Sequence, residues 1–166
     1  MGNEFADHLA KTAATSTSSP ESADFVATPR SYVKRILKAH LVKRWQEEWD
    51  TTEKGRFTFR FLPTVSLDLL EGSPLRNMFL TGRGPFPSFL HYISKLDSPH
   101  CICGEVGDPL HYLWACPLTT QYHLPRPAQI HEDLYFKMFL KYPDNLRRVT
   151  SLMRWLTANR AFLVPP

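Results

Sequence analysis

Residues 101–117 read CICGEVGDPLHYLWACP and hold every cysteine of the chain together with one histidine. Their spacing is C-x-C-x7-H-x4-C. Three thiolates and one imidazole are a standard ligand set for tetrahedral zinc, and four protein ligands leave no open position for a catalytic water. The segment therefore predicts a structural zinc knuckle at residues 101–116. The predicted Zn²⁺ ligands are Cys101, Cys103, His111 and Cys116.

A second interpretation of the same segment stays open. The one-residue gap between the first two cysteines is shorter than the usual spacing of zinc ligands. The alternative is three buried free cysteines beside a surface histidine. His91, His100 and His123 are also near in sequence, and any of them replaces His111 if the loop folds differently. An odd number of clustered cysteines argues against a disulfide framework.

Outside the knuckle, apolar residues recur every three or four positions, which predicts helices. The predicted helices cover about residues 3–14, 29–49, 75–80, 88–95, 132–141 and 145–162. In the last helix, the residues expected to point inward are Leu146, Val149, Leu152, Met153, Leu156 and Phe162. Residues 56–61, RFTFRF, alternate instead and predict a short strand.

The expected fold class is mostly α, a small helical domain with a loop-rich zinc knuckle. Residues 1–14 are expected to form an isolated helix, since they are too few to form a domain. A helix of that length is marginal without a partner surface. Residues 15–28 are rich in Ser and Thr and predict a flexible linker. The helical domain then occupies residues 29–166.

The 166 residues are 43% apolar, which is enough for a core and excludes global disorder. Twenty Lys and Arg against 16 Asp and Glu give a net charge of +4, an excess that permits a nucleic-acid partner. We find neither a secretory signal nor an apolar run of membrane-spanning length. The expected location is intracellular, in the nucleus or cytoplasm, where thiols stay reduced.

Two further motifs make the sequence recognisable. Residues 2–11 read GNEFADHLAK and resemble the final helix of a type 1 ribonuclease H, whose motif is G-N-E-x-A-D-x-L-A. Residues 80–86 read LTGRGPF and, with the knuckle, resemble the end of polyproteins encoded by arthropod-type non-LTR retrotransposons. Those polyproteins carry a ribonuclease H domain after the reverse transcriptase. The resemblance implies a zinc-binding and nucleic-acid-binding terminal fragment of such a polyprotein.

The resemblance places Asp7 at the last metal-binding aspartate of ribonuclease H. The family's other three carboxylates come from earlier elements, so Mg²⁺ is expected only in the intact parent enzyme. We expect no hydrolysis by this chain alone. Two alternatives remain: part of an RNA–DNA hybrid ribonuclease that is active only with the upstream domain, or a retroelement remnant without function.

The implied partners are RNA or DNA, single-stranded or hybrid, and the upstream domains of the polyprotein. Tyr112 and Trp114 are candidates for base stacking, although core packing explains them equally well. Arg83 stands where the family usually has histidine, and arginine is suited to phosphate. The candidate phosphate contacts are Arg83, Arg126, Lys137, Lys141, Arg147 and Arg148.

Overall fold

The computed structural model describes residues 2–15, 29–67 and 73–160. The chain divides into two units, Met1–His40 and Leu41–Pro166. The first helices are α1 (Gly2–Thr15) and α2 (Arg30–Thr51), and the boundary between the units falls inside α2. Of the predicted linker only Thr15 is described, as the last residue of α1, and residues 16–28 lie outside the described part. The predicted domain boundary at residue 29 stays a prediction.

The fold class is mostly α, as predicted. The remaining helices are α3 (Arg56–Phe61), α4 (Pro74–Thr81), α5 (Pro87–Tyr92), α6 (Pro109–Trp114), α7 (Glu132–Phe139) and α8 (Pro143–Ala158), with 3-10 helices at Pro117–Tyr122 and Gln129–His131. Within the described ranges there is no β-strand, and the one extended pairing is a bridge between His100 and Val106. None of the described helices has the length and apolar character needed to cross a membrane.

The strand predicted at residues 56–61 was wrong, because this segment is helix α3. Its alternating phenylalanines also satisfy helical spacing. Phe57 and Phe61 are four residues apart and therefore share one helix face, where their rings meet edge to face. Phe59 turns the other way and packs on Trp49. A lone strand has no partner here, whereas a helix satisfies its own backbone hydrogen bonds.

A cluster of phenylalanine rings joins α3, α4 and α7. The centroid of the Phe61 ring lies 4.9 Å from that of Phe136 and 5.3 Å from that of Phe139, and both pairs meet edge to face. The Phe79 ring stacks on that of Phe139. All four side chains are almost fully buried. Such pairs add to the stabilisation from buried apolar area. This cluster anchors one end of the domain core.

Helix α8 supplies the other part of the core and packs against α4. Its buried residues are Val149, Leu152, Met153 and Leu156, as the sequence predicts. Leu146 is half-buried, and Phe162 lies outside the described residues. Helix α4 ends at Gly82, whose φ of 67° is in the left-handed region that glycine adopts without strain.

Helix α2 forms as its apolar spacing predicts, but the apolar side chains do not build a buried face. None of its side chains is buried, and its exposed apolar residues are Tyr32, Val33, Ile36, Leu37, Leu41 and Trp45. Hydrogen bonds tie the end of α2 to the following chain: the Trp49 indole N–H donates to the Leu62 carbonyl at 2.8 Å, and the Gln46 side-chain amide donates to the Pro63 carbonyl at 2.9 Å and accepts from the Val65 N–H at 2.8 Å. The apolar period of this helix predicted its existence correctly, but it did not predict burial.

Candidate metal centre

The first two cysteines lie in a tight turn. The Cys101 backbone N–H donates to the Glu105 carbonyl, and the Gly104 N–H donates to the Cys101 carbonyl, both at 2.8 Å. Gly104 has a φ of 95°, a conformation that side chains with a Cβ rarely adopt. The bridge between His100 and Val106 closes the base of the turn. The backbone thus brings the thiols of Cys101 and Cys103 to one side of a knuckle.

The other two candidate ligands, His111 and Cys116, lie within and just after the short helix α6. Asp108 caps its N-terminus, and its carboxylate accepts a hydrogen bond from the His111 backbone N–H at 2.7 Å. At the C-terminal end, the N–H groups of Ala115 and Cys116 both donate to the His111 carbonyl at 2.8 Å. This turn brings Cys116 back beside His111, although five positions separate them.

The four ligand atoms form one compact group, all within 4.8 Å of one another. The Cys101 and Cys116 Sγ atoms are 3.8 Å apart, and Cys103 Sγ lies 3.2 Å from His111 Nε2. Tetrahedral zinc with bonds of about 2.3 Å to sulfur and 2.0 Å to nitrogen separates its ligand atoms by roughly 3.5 to 3.8 Å. The two measured separations lie near these distances, and the four atoms are close enough together to hold one metal ion.

The burial of the group suits a structural site. Cys101 and Cys116 are fully buried, His111 is 9% exposed, and Cys103 lies at the surface. All three cysteines are free thiols. The group therefore lies at the edge of the core, with Cys103 on its outer side.

Burial and local hydrogen bonding shift the pKa values of three ligands. Burial raises the pKa of the Cys116 thiol to about 12, opposed by the Leu118 backbone N–H. Burial also acts against ionisation of Cys101, but hydrogen bonding from the Cys103 backbone N–H keeps its pKa below the ordinary value. Burial lowers the pKa of His111, which favours the neutral imidazole that metals bind.

Tyr112 belongs to the packing around this group. Its side chain is fully buried. The hydroxyl faces the Cys101 thiol closely enough to lower the pKa of that thiol. A metal-bound thiolate at Cys101 would accept a hydrogen bond from this hydroxyl, as outer partners of metal ligands commonly donate. A fully buried ring is closed to base stacking, which agrees with the core-packing alternative.

Trp114 is half-buried, and its ring is already in contact with neighbours. It packs on Phe136 and Tyr135, with ring centroids 5.7 and 6.0 Å apart. The Arg126 guanidinium lies over the same indole, 5.3 Å from the ring centroid. Stacking of a base on Trp114 would therefore require Arg126 to move.

The neighbouring histidines do not join the metal group. His91 Nδ1 lies 3.1 Å from the Leu96 carbonyl oxygen, and His100 Nδ1 lies 3.0 Å from the Ser98 hydroxyl. His123 Nε2 lies 3.3 Å from the Thr119 hydroxyl. Of the four histidines weighed from the sequence, the structure places His111 beside the cysteines.

The six basic residues predicted to contact phosphate are all exposed. Arg83 lies in the turn after α4, Lys137 lies on α7, and Lys141 follows that helix. The Arg148 guanidinium donates to the His123 carbonyl at 3.3 Å.

Arg147 lies in an open groove with Arg76 and Arg154, two residues that the sequence analysis did not single out. The seven-residue spacing of Arg147 and Arg154 on one helix was an available signal, because it places them on one face. Arg76 comes from another helix and carried no local signal.

Asp7 lies exposed on α1. Its role as a remnant of a catalytic aspartate stays a prediction from the resemblance.

No family model matches the chain, and no solved structure matches it significantly. Over 91 residues, 51% of the chain, it is 43% identical to the putative 115 kDa protein in type-1 retrotransposable element R1DM of Drosophila melanogaster, of which it covers 9%. Over 53% of the chain it is 34% identical to the retrovirus-related Pol polyprotein from type-1 retrotransposable element R1 of Bradysia coprophila, again covering 9%. A Nasonia vitripennis polyprotein from element R1 3 is 30% identical over 91 residues, and 24% of it is covered.

The chain thus spans less than a quarter of the length of each of these relatives. The identities nevertheless agree with the resemblance seen in the sequence motifs. About half of this chain is related to the polyproteins of type-1, non-LTR retrotransposable elements.

Proposed function

We propose that this chain is a zinc-stabilised nucleic-acid-binding module of a retrotransposon polyprotein. The observation that carries the proposal is the group of three cysteines and one histidine whose ligand atoms lie within 4.8 Å of one another. Four protein ligands close the coordination sphere, so bound zinc would supply folding free energy rather than catalysis.

The residues that would hold the ion lie in three separate segments. Cys101 and Cys103 belong to the knuckle, His111 to α6, and Cys116 to the start of the 3-10 helix at Pro117–Tyr122. The core around them is small, and short helices such as α6 are unstable in isolation. A shared ion would cross-link these segments and fix the loop-rich middle of the domain.

The nucleic-acid part of the proposal is supported by charge and by relatedness. The chain has a net charge of +4, and its basic side chains are mostly at the surface. Relatives over half of its length are described as Pol polyproteins of retrotransposable elements. RNA or DNA, single-stranded or hybrid, is therefore the proposed partner class, together with the other domains of the polyprotein.

Metal analysis of the full chain, purified without chelators, tests the zinc site. We expect one zinc per chain, with a large loss of zinc in Cys116→Ser and His111→Gln. His100→Gln is the matched control, because His100 is adjacent to the knuckle but outside the metal group. A wild-type chain that carries no zinc and takes none up contradicts the site.

The proposed nucleic-acid binding is tested with fluorescent single-stranded RNA. Its binding to the zinc-loaded chain is measured over a range of salt concentrations. Phosphate contacts make affinity fall as salt rises. A remnant without function would show no binding at low salt, and that result would contradict the proposed module.

A further inference from the structure

The geometry points to a phosphodiester-binding groove between α4 and α8, formed by the guanidinium groups of Arg76, Arg147 and Arg154. This inference deepens the proposed function and rests on it, because it names the surface that holds the nucleic-acid backbone. The groove is an open hollow of about 520 Å³ on a face away from the buried side chains of α8.

The two helices bring the three cations together for a simple geometric reason. On α8, Arg147, Ser151 and Arg154 are four and three residues apart, so they follow one face of the helix. The adjoining face carries the buried residues that pack α8 against α4. Arg76 on α4 is half-buried and lines the same hollow from the other side.

The described lining of the groove is basic. Among the described residues that line it are three arginines and no carboxylate. Asp144, one turn before Arg147, forms an ion pair with it, but both side chains are about three-quarters exposed, at 75% and 77%. Exposed pairs of this kind are weak and screened by salt, so a phosphate can compete for Arg147.

The chemistry of the lining selects phosphate oxygens. Guanidinium groups bind phosphate through two parallel N–H donors, which favours arginine over lysine at such sites. Ser151 and Thr150 add hydroxyl groups to the lining, although the Thr150 hydroxyl already donates to the Leu146 carbonyl at 2.7 Å. No aromatic ring lines the groove in the described part of the chain, so it lacks a platform for bases. The groove should therefore bind the backbone with little sequence preference.

The other basic residues are less suited to this role. Neither Arg126 nor Arg148 lines the groove. Lys137 and Lys141 belong to the α7 region and do not line the groove. Arg76, Arg147 and Arg154, in contrast, all line one hollow.

The test uses the zinc-loaded full chain and a fluorescent single-stranded RNA of mixed sequence. The variant is Arg147→Gln/Arg154→Gln, which removes two exposed charges and leaves the core of α8 intact. Lys54→Gln/Lys95→Gln is the matched control, with the same loss of charge at exposed positions outside the groove. Thermal melting and zinc content establish that every variant is folded.

We expect the groove variant to weaken RNA binding at least tenfold and the control to weaken it less than threefold. The dependence of log affinity on log salt should become shallower by about 1.4, because each phosphate contact on a single strand contributes roughly 0.7. Arg76→Gln should also weaken RNA binding. If RNA binding falls equally in the groove variant and the control, the groove is not the RNA-binding surface. The proposed nucleic-acid-binding function is not contradicted by that result.

Three further results separate the remaining possibilities. A wild-type chain that binds no RNA at low salt overturns the proposed function and the groove together. Fluorescent polyglutamate that binds as tightly as RNA, and loses affinity in the same variant, overturns the assignment to nucleic acid and indicates an acidic polypeptide partner. Weak competition by inorganic pyrophosphate, far below that of RNA, supports a site for a polymeric backbone.

Discussion

The carboxylate of Asp108 accepts a hydrogen bond at 2.7 Å from the backbone N–H of His111, the one histidine in the metal group. The same carboxylate is the N-cap of α6. One side chain therefore starts the helix and fixes the position of a candidate ligand within it. Helix formation and assembly of the metal group are coupled at this hydrogen bond.

Asp108→Ala should weaken zinc binding without removing a ligand. Loss of an N-cap typically costs about 1 kcal/mol, and α6 has only six residues over which to recover it. A competition titration with a chromophoric chelator measures the affinity. Asp133→Ala, which removes an exposed carboxylate from the first turn of α7, is the control. Equal zinc affinity in both variants would show that the cap does not position His111.

Removing zinc from the full chain should loosen residues 96–120 and leave α8 folded. Metal binding and local folding form one equilibrium where the ligands come from separate segments. Backbone amides in residues 96–120 should therefore exchange faster in hydrogen exchange after chelation. Amides in α8 should stay protected, because α8 also packs against α4, which carries none of the ligands, and this packing helps to bury Val149, Leu152 and Leu156. Uniform loss of protection in both regions would contradict this division.

Zinc uptake should release protons and become tighter as pH rises. Burial raises the pKa of Cys116 to about 12, so its thiol is protonated at neutral pH and must lose a proton to bind metal. Burial lowers the pKa of His111 below its ordinary 6.5, so the imidazole is already neutral there and contributes no proton. The zinc-dependent part of stability is thus present at high pH and lost as pH falls. Titration in weak buffer with a pH indicator measures the release, and uptake without proton release would contradict it.

Phe61→Ala should destabilise the domain severely. The Phe61 ring contacts Phe79, Phe136 and Phe139, and its side chain is 2% exposed. Removing a buried phenylalanine commonly costs about 3–5 kcal/mol, a large part of a small domain's stability. Phe5→Ala is the matched control, because the Phe5 side chain is 67% exposed. Urea unfolding compares them, and similar midpoints would refute a central role for the ring.

The isolated chain should leave an RNA–DNA hybrid intact in Mg²⁺ or Mn²⁺. Two-metal hydrolysis requires several carboxylates around both ions, whereas the resemblance assigns only Asp7 to that role. The measurement is cleavage of a labelled hybrid, compared with Asp7→Asn. Cleavage by the wild-type chain that is lost in this variant would overturn the expectation and favour the hybrid-ribonuclease alternative.

The spacing of the cysteines by itself predicted that the three thiols meet in one group with a histidine. That was possible because the ligands lie within 16 consecutive residues, where local turns dominate geometry. The choice of His111 over His91, His100 and His123 needed the structure. The turn at Gly104 and the cap at Asp108 decide which imidazole reaches the thiols.

The apolar period likewise determined that the domain is helical, and it located the buried face of α8. It failed at residues 56–61, because phenylalanines at every second position satisfy both a strand and a helix face. Only the tertiary structure decided between them, since Phe61 gains its burial from rings on α4 and α7 that are distant in sequence. The groove of Arg76, Arg147 and Arg154 was decided in the same way, because it exists only where α4 packs against α8. Local spacing determines what a segment can form, and contacts between distant segments determine which possibility has the lower free energy.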